Sequence, residues 1–544
     1  MQRVHEHFPP GFTPRAEQRA LLAALEGALA KRPDDAGPTV LLVEAPPGVG
    51  KSHVAMTLAR WSGDAYLLTS QKLLQDQYER QFGDALAVVK GRDNYLCERY
   101  AMPVPTSRGA CRRPRGPACA CPYARAKQAA LHSPVFCANT AYFLTLRHWH
   151  AEHLRRRRLL IVDEAHTLEA QLVAVATVAF SHDEMRTWLG APLPRLNDAD
   201  GYRPLLAPLL QQLEEEREAV ARHLEALAPP ADLFGDTPPS PEEQTLLDRQ
   251  ERLDDAVARL RRFLDDEDRE WLVRYPAAPA SSLALVPLGV ADLGRRLLGE
   301  SAEIVVLSSA YLGPRAVVAE CFGLDADRVG AVGVGSPFPR EQRPILYRPV
   351  GPLSQATLPR LEPALFAEVA AILAAHPADK GLIHVASHAA ARRLVSALEQ
   401  TDPRAAARLL WIESAEAKPA ALDLHRASRR PTVLVSPSLR EGVDLPDDFL
   451  RFQIVTKMPF PDLGDPWTAA RRARDPRWYA VETAKALVQA YGRSCRHAED
   501  HGVTYVLDAH FARFVRQYRP LLPEWFLDAA EPALRAALAR DVDG

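Results

Sequence analysis

The stretch that most constrains this chain is Thr39-Val40-Leu41-Leu42-Val43-Glu44 running straight into Ala45-Pro46-Pro47-Gly48-Val49-Gly50-Lys51-Ser52. An apolar run, a Gly/Pro loop closing on Lys-Ser and a helix-like segment beyond it make the strand–loop–helix unit in which a P-loop works. The glycines let backbone N–H groups face phosphates, and the start of the following helix adds a favourable dipole. In this reading Pro47, Gly48, Val49 and Gly50 wrap the phosphates, Lys51 reaches the β- and γ-phosphates, and the Ser52 hydroxyl ligates Mg²⁺. Ala45 stands where the general pattern has its first glycine.

A second apolar run, residues 159–162, ends in Asp163-Glu164-Ala165-His166. Two carboxylates at the end of a buried strand lie where a parallel sheet presents its active edge. Asp163 is expected to hold the Mg²⁺ shell and Glu164 to orient or deprotonate an attacking water. Paired with the P-loop, this predicts ATP hydrolysis. Further strand-like runs cover residues 65–70, 304–307, 381–385, 432–436, 452–456 and 504–507. Short apolar strands separated by helical segments predict a parallel α/β sheet, and the pattern occurs twice. Residues 203–270 differ, with Leu, Ala, Glu and Arg at helical spacing, broken by Pro229-Pro230 and the polar loop 235–239. They read as a helical insertion.

At ~150 residues per domain, the 544-residue chain is long enough for three or four domains. A formal charge of -2 provides no global basic field, so nucleic-acid contacts have to come from local patches. The first residues lack the basic start and apolar core of a signal peptide, and no run approaches ~18 apolar residues, so no membrane span is expected. Four of the seven cysteines cluster as Cys97, Cys111, Cys119 and Cys121. A secreted disulfide scaffold would be short and would spread them, so a reduced cytoplasm is expected. Four thiolates suit an Fe–S cluster, Zn²⁺ accepts the same set, and an empty vestigial site is a third reading that spacing does not exclude. Around them stand Arg92, Arg99, Arg112, Arg113 and Arg125, interleaved with Tyr95, Tyr100 and Tyr123. Such a surface suits the backbone-tracking, base-stacking path of a single strand, while a merely solvated face is the plainer alternative.

Asp163-Glu164-Ala165-His166 spells a DEAH box, and on it the chain resembles superfamily 2 helicases, more narrowly the XPD/DinG group, over nearly its whole length. Residues 43–52 are similar to that group's first motif. Thr69-Ser70-Gln71 and the residues to Gln77 resemble the next, which touches single-stranded DNA in the family. Phe12-Thr13-Pro14-Arg15-Ala16-Glu17-Gln18 is similar to the adenine-side segment, with Arg15 and Gln18 at the matching positions. Leu307-Ser308-Ser309-Ala310-Tyr311-Leu312 resembles the coupling motif, and residues 436–445, with Glu441 and Asp444, resemble the fifth motif. Gln489-Ala490-Tyr491-Gly492-Arg493-Ser494-Cys495-Arg496 is similar to the sixth, where Arg493 and Arg496 would act as arginine fingers beside Gln489. Tyr311 and Arg440 depart from the group's usual residues.

The resemblance implies an α/β fold of two RecA-like parallel-sheet motor domains, with an Fe–S insertion and a helical arch insertion in the first. Its boundaries fall at 1–86, 136–170 and 285–335 for motor domain 1, 87–135 for the iron–sulfur domain, 171–284 for the arch and 336–544 for motor domain 2. It favours a [4Fe–4S] cluster over Zn²⁺ on the four clustered cysteines, leaving Cys137, Cys321 and Cys495 structural. The acidic runs 214–216 and 265–268 set the arch's outer face away from DNA. Also implied are ATP and Mg²⁺, 5′-to-3′ movement on single-stranded DNA, and unwinding of forked or tailed duplex in repair, replication, or R-loop or D-loop processing. DNA contacts are expected at Thr69, Gln71, Arg92, Arg112, Arg113 and Tyr123. The expected form is a cytoplasmic monomer, with single-strand-binding or repair-complex proteins as partners. The alternative is a translocase or an accessory subunit of a larger nucleic-acid complex, of the CRISPR-associated DinG-like kind, with little unwinding of its own.

Overall fold

The computed structural model describes residues 3–31, 38–98, 104–108, 121–149, 153–190, 194–227, 240–266, 269–275, 283–414, 416–437, 445, 447–492 and 499–540. From the amino terminus come α1 (Ala16–Ala30), β1 (Thr39–Glu44), α2 (Lys51–Ser62), β2 (Ala65–Thr69), α3 (Lys72–Phe82) and β3 (Ala87–Val88). The short strands β4 (Leu96–Cys97) and β5 (Val104–Pro105) pair antiparallel outside the main sheet. The chain returns through α4 (Pro122–His132), β6 (Val135–Asn139), α5 (Thr140–Trp149), β7 (Arg157–Asp163) and α6 (Leu168–Ala176).

Beyond α6 lies β8 (Val178–Phe180), followed by two long helices, α7 (Arg203–Leu227) and α8 (Pro241–Leu264), then β9 (Trp271–Arg274) and β10 (Leu283–Pro287). This insertion is not purely helical. Its three strands form an antiparallel sheet in the order β8-β10-β9. Phe180, Leu283 and Leu285 of that sheet share a buried core with Leu206, Leu260 and Phe263 of the helices.

β11 (Ala302–Ser309) and β12 (Val329–Gly333) complete a seven-stranded parallel sheet in the order β12-β1-β11-β7-β2-β6-β3. In β1 the side-chain alternation sends Val40 and Leu42 into one core and Leu41 and Val43 into another. Both faces of the sheet are therefore covered, which is why its strands read as unbroken apolar runs. The adjacency of β1, β11 and β7 brings their carboxyl ends together, and there the P-loop and DEAH residues meet.

The second sheet contains β13 (Ile345–Gly351), β14 (Gly381–His384), β15 (Leu409–Trp411), β16 (Val433–Ser436), β17 (Phe452–Val455) and β18 (Val503–Asp508). Its order is β13-β18-β17-β14-β16-β15, and every pairing is parallel. Helix α9 (Pro466–Arg474) lies against α10 (Pro476–Tyr491) and β9, while α10 and α11 (Glu524–Arg540) pack on this sheet. The two units meet where buried Glu169 of α6 accepts from Arg471 Nη2 at 3.1 Å and Trp478 Nε1 at 2.9 Å. Among the described residues, no helix is long and apolar enough to cross a membrane.

Candidate active site

A cleft of about 570 Å³ opens at the carboxyl ends of β1 and β7, with Arg15, Lys51, Ser52, Asp163, Glu164 and Gln489 among its walls. Lys51 begins α2, and its Nζ donates to the Ala45 carbonyl at 3.2 Å. The adenine-side residues brace the loop. Arg15 Nη1 donates to Gly48 O at 2.9 Å, and Gln18 Nε2 donates to Gly50 O at 3.3 Å. Gln18 Oε1 in turn accepts from the Arg15 backbone N–H at 2.9 Å. Val49 contributes only backbone here, since its side chain is buried in the core behind the loop. Phe8, Phe12 and His53 build an aromatic wall, with Phe12 half exposed and its ring centroid 4.6 Å from His53. Burial, and then the charge of Arg15, lower the His53 pKa and favour a neutral imidazole.

Asp163 is buried at the end of β7. Burial first, and the neighbouring Glu164 second, push its carboxyl up to about 6, against the opposing pull of Lys51. Its Oδ2 accepts from the Tyr78 hydroxyl at 3.0 Å and its Oδ1 from the Glu164 backbone N–H at 3.0 Å. Glu164 is held at φ 53°, in the left-handed region that a side chain with a Cβ rarely adopts. Such backbone costs on the order of 1–3 kcal/mol and persists where the surroundings over-determine it. His166 Nδ1 lies 2.9 Å from Ser309 Oγ and 3.3 Å from Glu164 Oε2.

Gln489 of α10 reaches this cluster from the second unit, with Nε2 at 3.2 Å from His166 Nδ1 and 3.3 Å from Ser309 Oγ. One turn on, a Cβ at Gly492 would lie 2.6 Å from Pro47 Cγ, so only glycine lets α10 end against the P-loop. The predicted Arg493, Arg496, Glu441 and Asp444 lie outside the described residues, as do Cys111, Cys119, Arg112, Arg113 and Arg440.

Two readings of single residues change. Thr69, expected to touch DNA, is fully buried and donates its hydroxyl to Gln71 O at 3.1 Å, so it shapes the loop and presents no surface. The neighbouring Gln71 is partly exposed at the start of α3. In the coupling motif the hydroxyl beside the DEAH histidine belongs to Ser309, whereas buried Tyr311 donates its hydroxyl to the Leu521 carbonyl in the second unit. Sequence reasoning missed Tyr78 and the contribution of Phe8 and His53 to the cleft. Their only sequence signal is an aromatic or imidazole near a motif, which is also what a core residue looks like.

Cys97 in β4 and Cys121 at the N-cap of α4 are both buried. Cys121 Sγ accepts from the Ala124 N–H at 3.4 Å, and a helix N-terminus favours the thiolate, the form that ligates metal. Beside them, exposed Arg92 lies over the Tyr123 ring at 5.3 Å, Tyr95 meets that ring edge-on at 5.7 Å, and Tyr123 shares a 3.1 Å hydroxyl contact with Tyr142. Cys137, by contrast, is enclosed in β6, and burial pushes its thiol up to about 12.

A nucleotide-sized cleft lies between the two parallel sheets, and Glu164 is linked to Gln489 of the second unit through His166. Residues 369–529 match the helicase C-terminal domain family. The chain is 27% identical over 296 residues to the ATP-dependent helicase DinG of Mycobacterium tuberculosis (strain ATCC 25177 / H37Ra), covering 51% of this chain and 42% of that protein. It shares its fold with a solved XPD helicase, at TM-score 0.60 and 13% identity, covering 93% and 98% of the two chains. The same coverage holds for Xpd4 of S. tokodaii, at TM-score 0.54 and 13% identity. The chain is thus similar to DinG helicases over about half its length and shares its fold with XPD helicases. The matched region spans 42% of the curated DinG relative's length.

Proposed function

We propose that this chain is an ATP-dependent DNA helicase that moves 5′-to-3′ along a single strand and unwinds duplex ahead of it. The observation that carries the reading is Gln489 of the second unit within hydrogen-bonding distance of both His166 and Ser309. Any change at Asp163 and Glu164 is thereby two contacts from the other motor domain, the geometry that turns hydrolysis into domain movement.

In this reading ATP enters between the aromatic wall and the P-loop, and Lys51 exchanges its internal bond to Ala45 for the β- and γ-phosphates. Ser52 and Asp163 would hold Mg²⁺, which would supply charge neutralisation to the phosphates. Glu164 orients the attacking water, and Arg493 and Arg496 complete the cleft from the second unit. Glu441 and Asp444 join the nucleotide's surroundings from that side. The strand follows Gln71, the Arg92–Tyr123 pair, and Arg112 and Arg113, where cations meet the backbone and rings stack on bases. Cys97, Cys111, Cys119 and Cys121 would hold a [4Fe–4S] cluster, which in this role supplies a rigid fold for the insertion. The buried thiols at β4 and at the N-terminus of α4 fit that use. Cytoplasmic residence, action as a monomer on forked or tailed DNA, and repair-complex or single-strand-binding partners go with the same proposal.

The test is strand displacement by protein purified without oxygen, on duplexes bearing a 5′ or a 3′ tail, with Lys51→Ala as control. Displacement from the 5′ tail alone, dependent on ATP and lost in the control, is expected. ATP hydrolysis stimulated by a single strand without displacement from either tail would overturn the helicase reading in favour of a translocase or accessory subunit.

A further inference from the structure

Glu44 is the last residue of β1 and the immediate neighbour of the nucleotide loop, yet it does not line the cleft. Its Oε1 accepts two backbone N–H groups from the loop after β11, Leu312 at 2.7 Å and Gly313 at 3.2 Å. We propose that Glu44 is a positioning residue that ties the nucleotide loop to the 310–313 loop, so that closure of the two motor domains around ATP depends on it. The proposal rests on the ATP-driven motor reading and adds to it the residue through which the first domain presents its docking loop to the second.

Three observations place that loop at the junction. Gly313 sits at φ +98°, and a Cβ there would lie 2.6 Å from Val481 Cγ1 of α10, so the second domain packs directly on its backbone. Tyr311, two residues earlier, donates its hydroxyl to the Leu521 carbonyl of the second domain. Lys485, one turn beyond Val481 and largely buried, places its charge where it acts on the Glu44 carboxylate. Burial pushes that carboxyl up, while the N–H groups of Leu312 and Gly313, and then Lys485, pull the other way.

The nucleotide side is as direct. The Ala45 N–H donates to Ser309 O at 3.0 Å, and the Ala45 carbonyl is the internal partner of Lys51. When ATP draws Lys51 away, the change at residue 45 passes through Glu44 to the loop on which α10 packs. That helix in turn holds Gln489 against His166. Two converging N–H groups need an acceptor of fixed position. A shorter side chain leaves both without one.

The test compares Glu44→Ala and Glu44→Gln with the wild type, all as the full chain with one dye on each motor domain. A fluorescent ATP analogue reads affinity, and energy transfer in non-hydrolysable ATP plus single-stranded DNA reads closure. Glu44→Ala is expected to bind the analogue within about threefold of wild type but to need about tenfold more nucleotide to close, the loss of one such interaction. Glu44→Gln, which keeps the carbonyl acceptor and loses the charge, is expected to recover most of the closure. Unchanged closure in Glu44→Ala would overturn the proposal, and so would affinity and closure falling in parallel, because Glu44 would then act through the phosphate loop itself. A wild type that closes yet displaces no strand removes the helicase reading and leaves Glu44 judged by closure. A wild type that never closes on nucleotide removes both.

Discussion

The hydroxyl of Tyr78 lies 3.0 Å from Oδ2 of Asp163, and both residues are buried where the cleft meets β7. A hydrogen bond to a charged group contributes about 1.5–3 kcal/mol, and here it fixes the rotamer of the carboxylate that Mg²⁺ is expected to meet. Tyr78→Phe keeps the ring in the core and deletes that bond together with the hydroxyl's contact to Ser52. The ATPase kcat is expected to fall about tenfold, equivalent to ~1.4 kcal/mol, with stability falling by no more than the bond's own contribution. An unchanged kcat at saturating ATP and Mg²⁺ would remove Tyr78 from the site. At this scale, legibility followed contiguity. Lys51, Asp163 and Glu164 were readable because their neighbours in sequence are also their neighbours in space. Tyr78 was not, because a buried aromatic on an amphipathic helix is what core packing alone produces. Thr69 was misread for the complementary reason. A hydroxyl in a loop motif looks available until the fold shows it covered.

Among the elements, α4 and β7 are joined by one buried side chain. Arg157 opens β7 and donates to the carbonyls of Ala130, Leu131, Ser133, Pro134 and Ala65, at 2.7–3.3 Å. Its guanidinium also lies 4.8 Å from the centre of the Tyr66 ring. A cation satisfying the last carbonyls of a helix is favourable, and α4 is the helix whose other end is Cys121. The strand that ends in Asp163 thus begins by gripping the helix that starts at the cysteine cluster. Arg157→Met retains bulk and leaves those carbonyls without a donor, so a loss of about 3 kcal/mol or more in urea unfolding is expected. Amide exchange at the end of α4 should accelerate in the same variant. A stability change below about 1 kcal/mol, typical of a surface site, would contradict this account of the joint. In the sequence, Arg157 is one of four consecutive arginines at 155–158, and nothing local separates it from its neighbours.

At the scale of the whole molecule, buried polar contacts help to hold the two units together. Glu169 of α6, just after the DEAH residues, meets Arg471 at 3.1 Å and Trp478 at 2.9 Å, and all three are buried. Glu169→Ala strands a buried guanidinium and an indole N–H, a loss of the order of 3–5 kcal/mol. The nucleotide-free protein is therefore expected to spend more time open, read as a larger radius of gyration in small-angle scattering, with ATP restoring the compact form. A radius unchanged by the substitution would mean that the closed arrangement is held elsewhere.

The amino-acid sequence alone carried the parallel α/β architecture, the two-domain repetition and the position of the Gly/Pro loop and the Asp163-Glu164 pair at strand ends. Those features depend on local apolar periodicity and on residues adjacent in the chain. Tertiary packing settled the partners, because they lie far apart in sequence: Gln489 against His166 across 323 residues, Glu44 beneath Leu312, and Tyr311 on Leu521. It also added the small antiparallel sheet within the helical insertion, where short strands at a helix base leave almost no period to read. Periodicity reports which face of an element is buried. It does not report what that face meets, and in this protein the coupling between domains consists of such meetings.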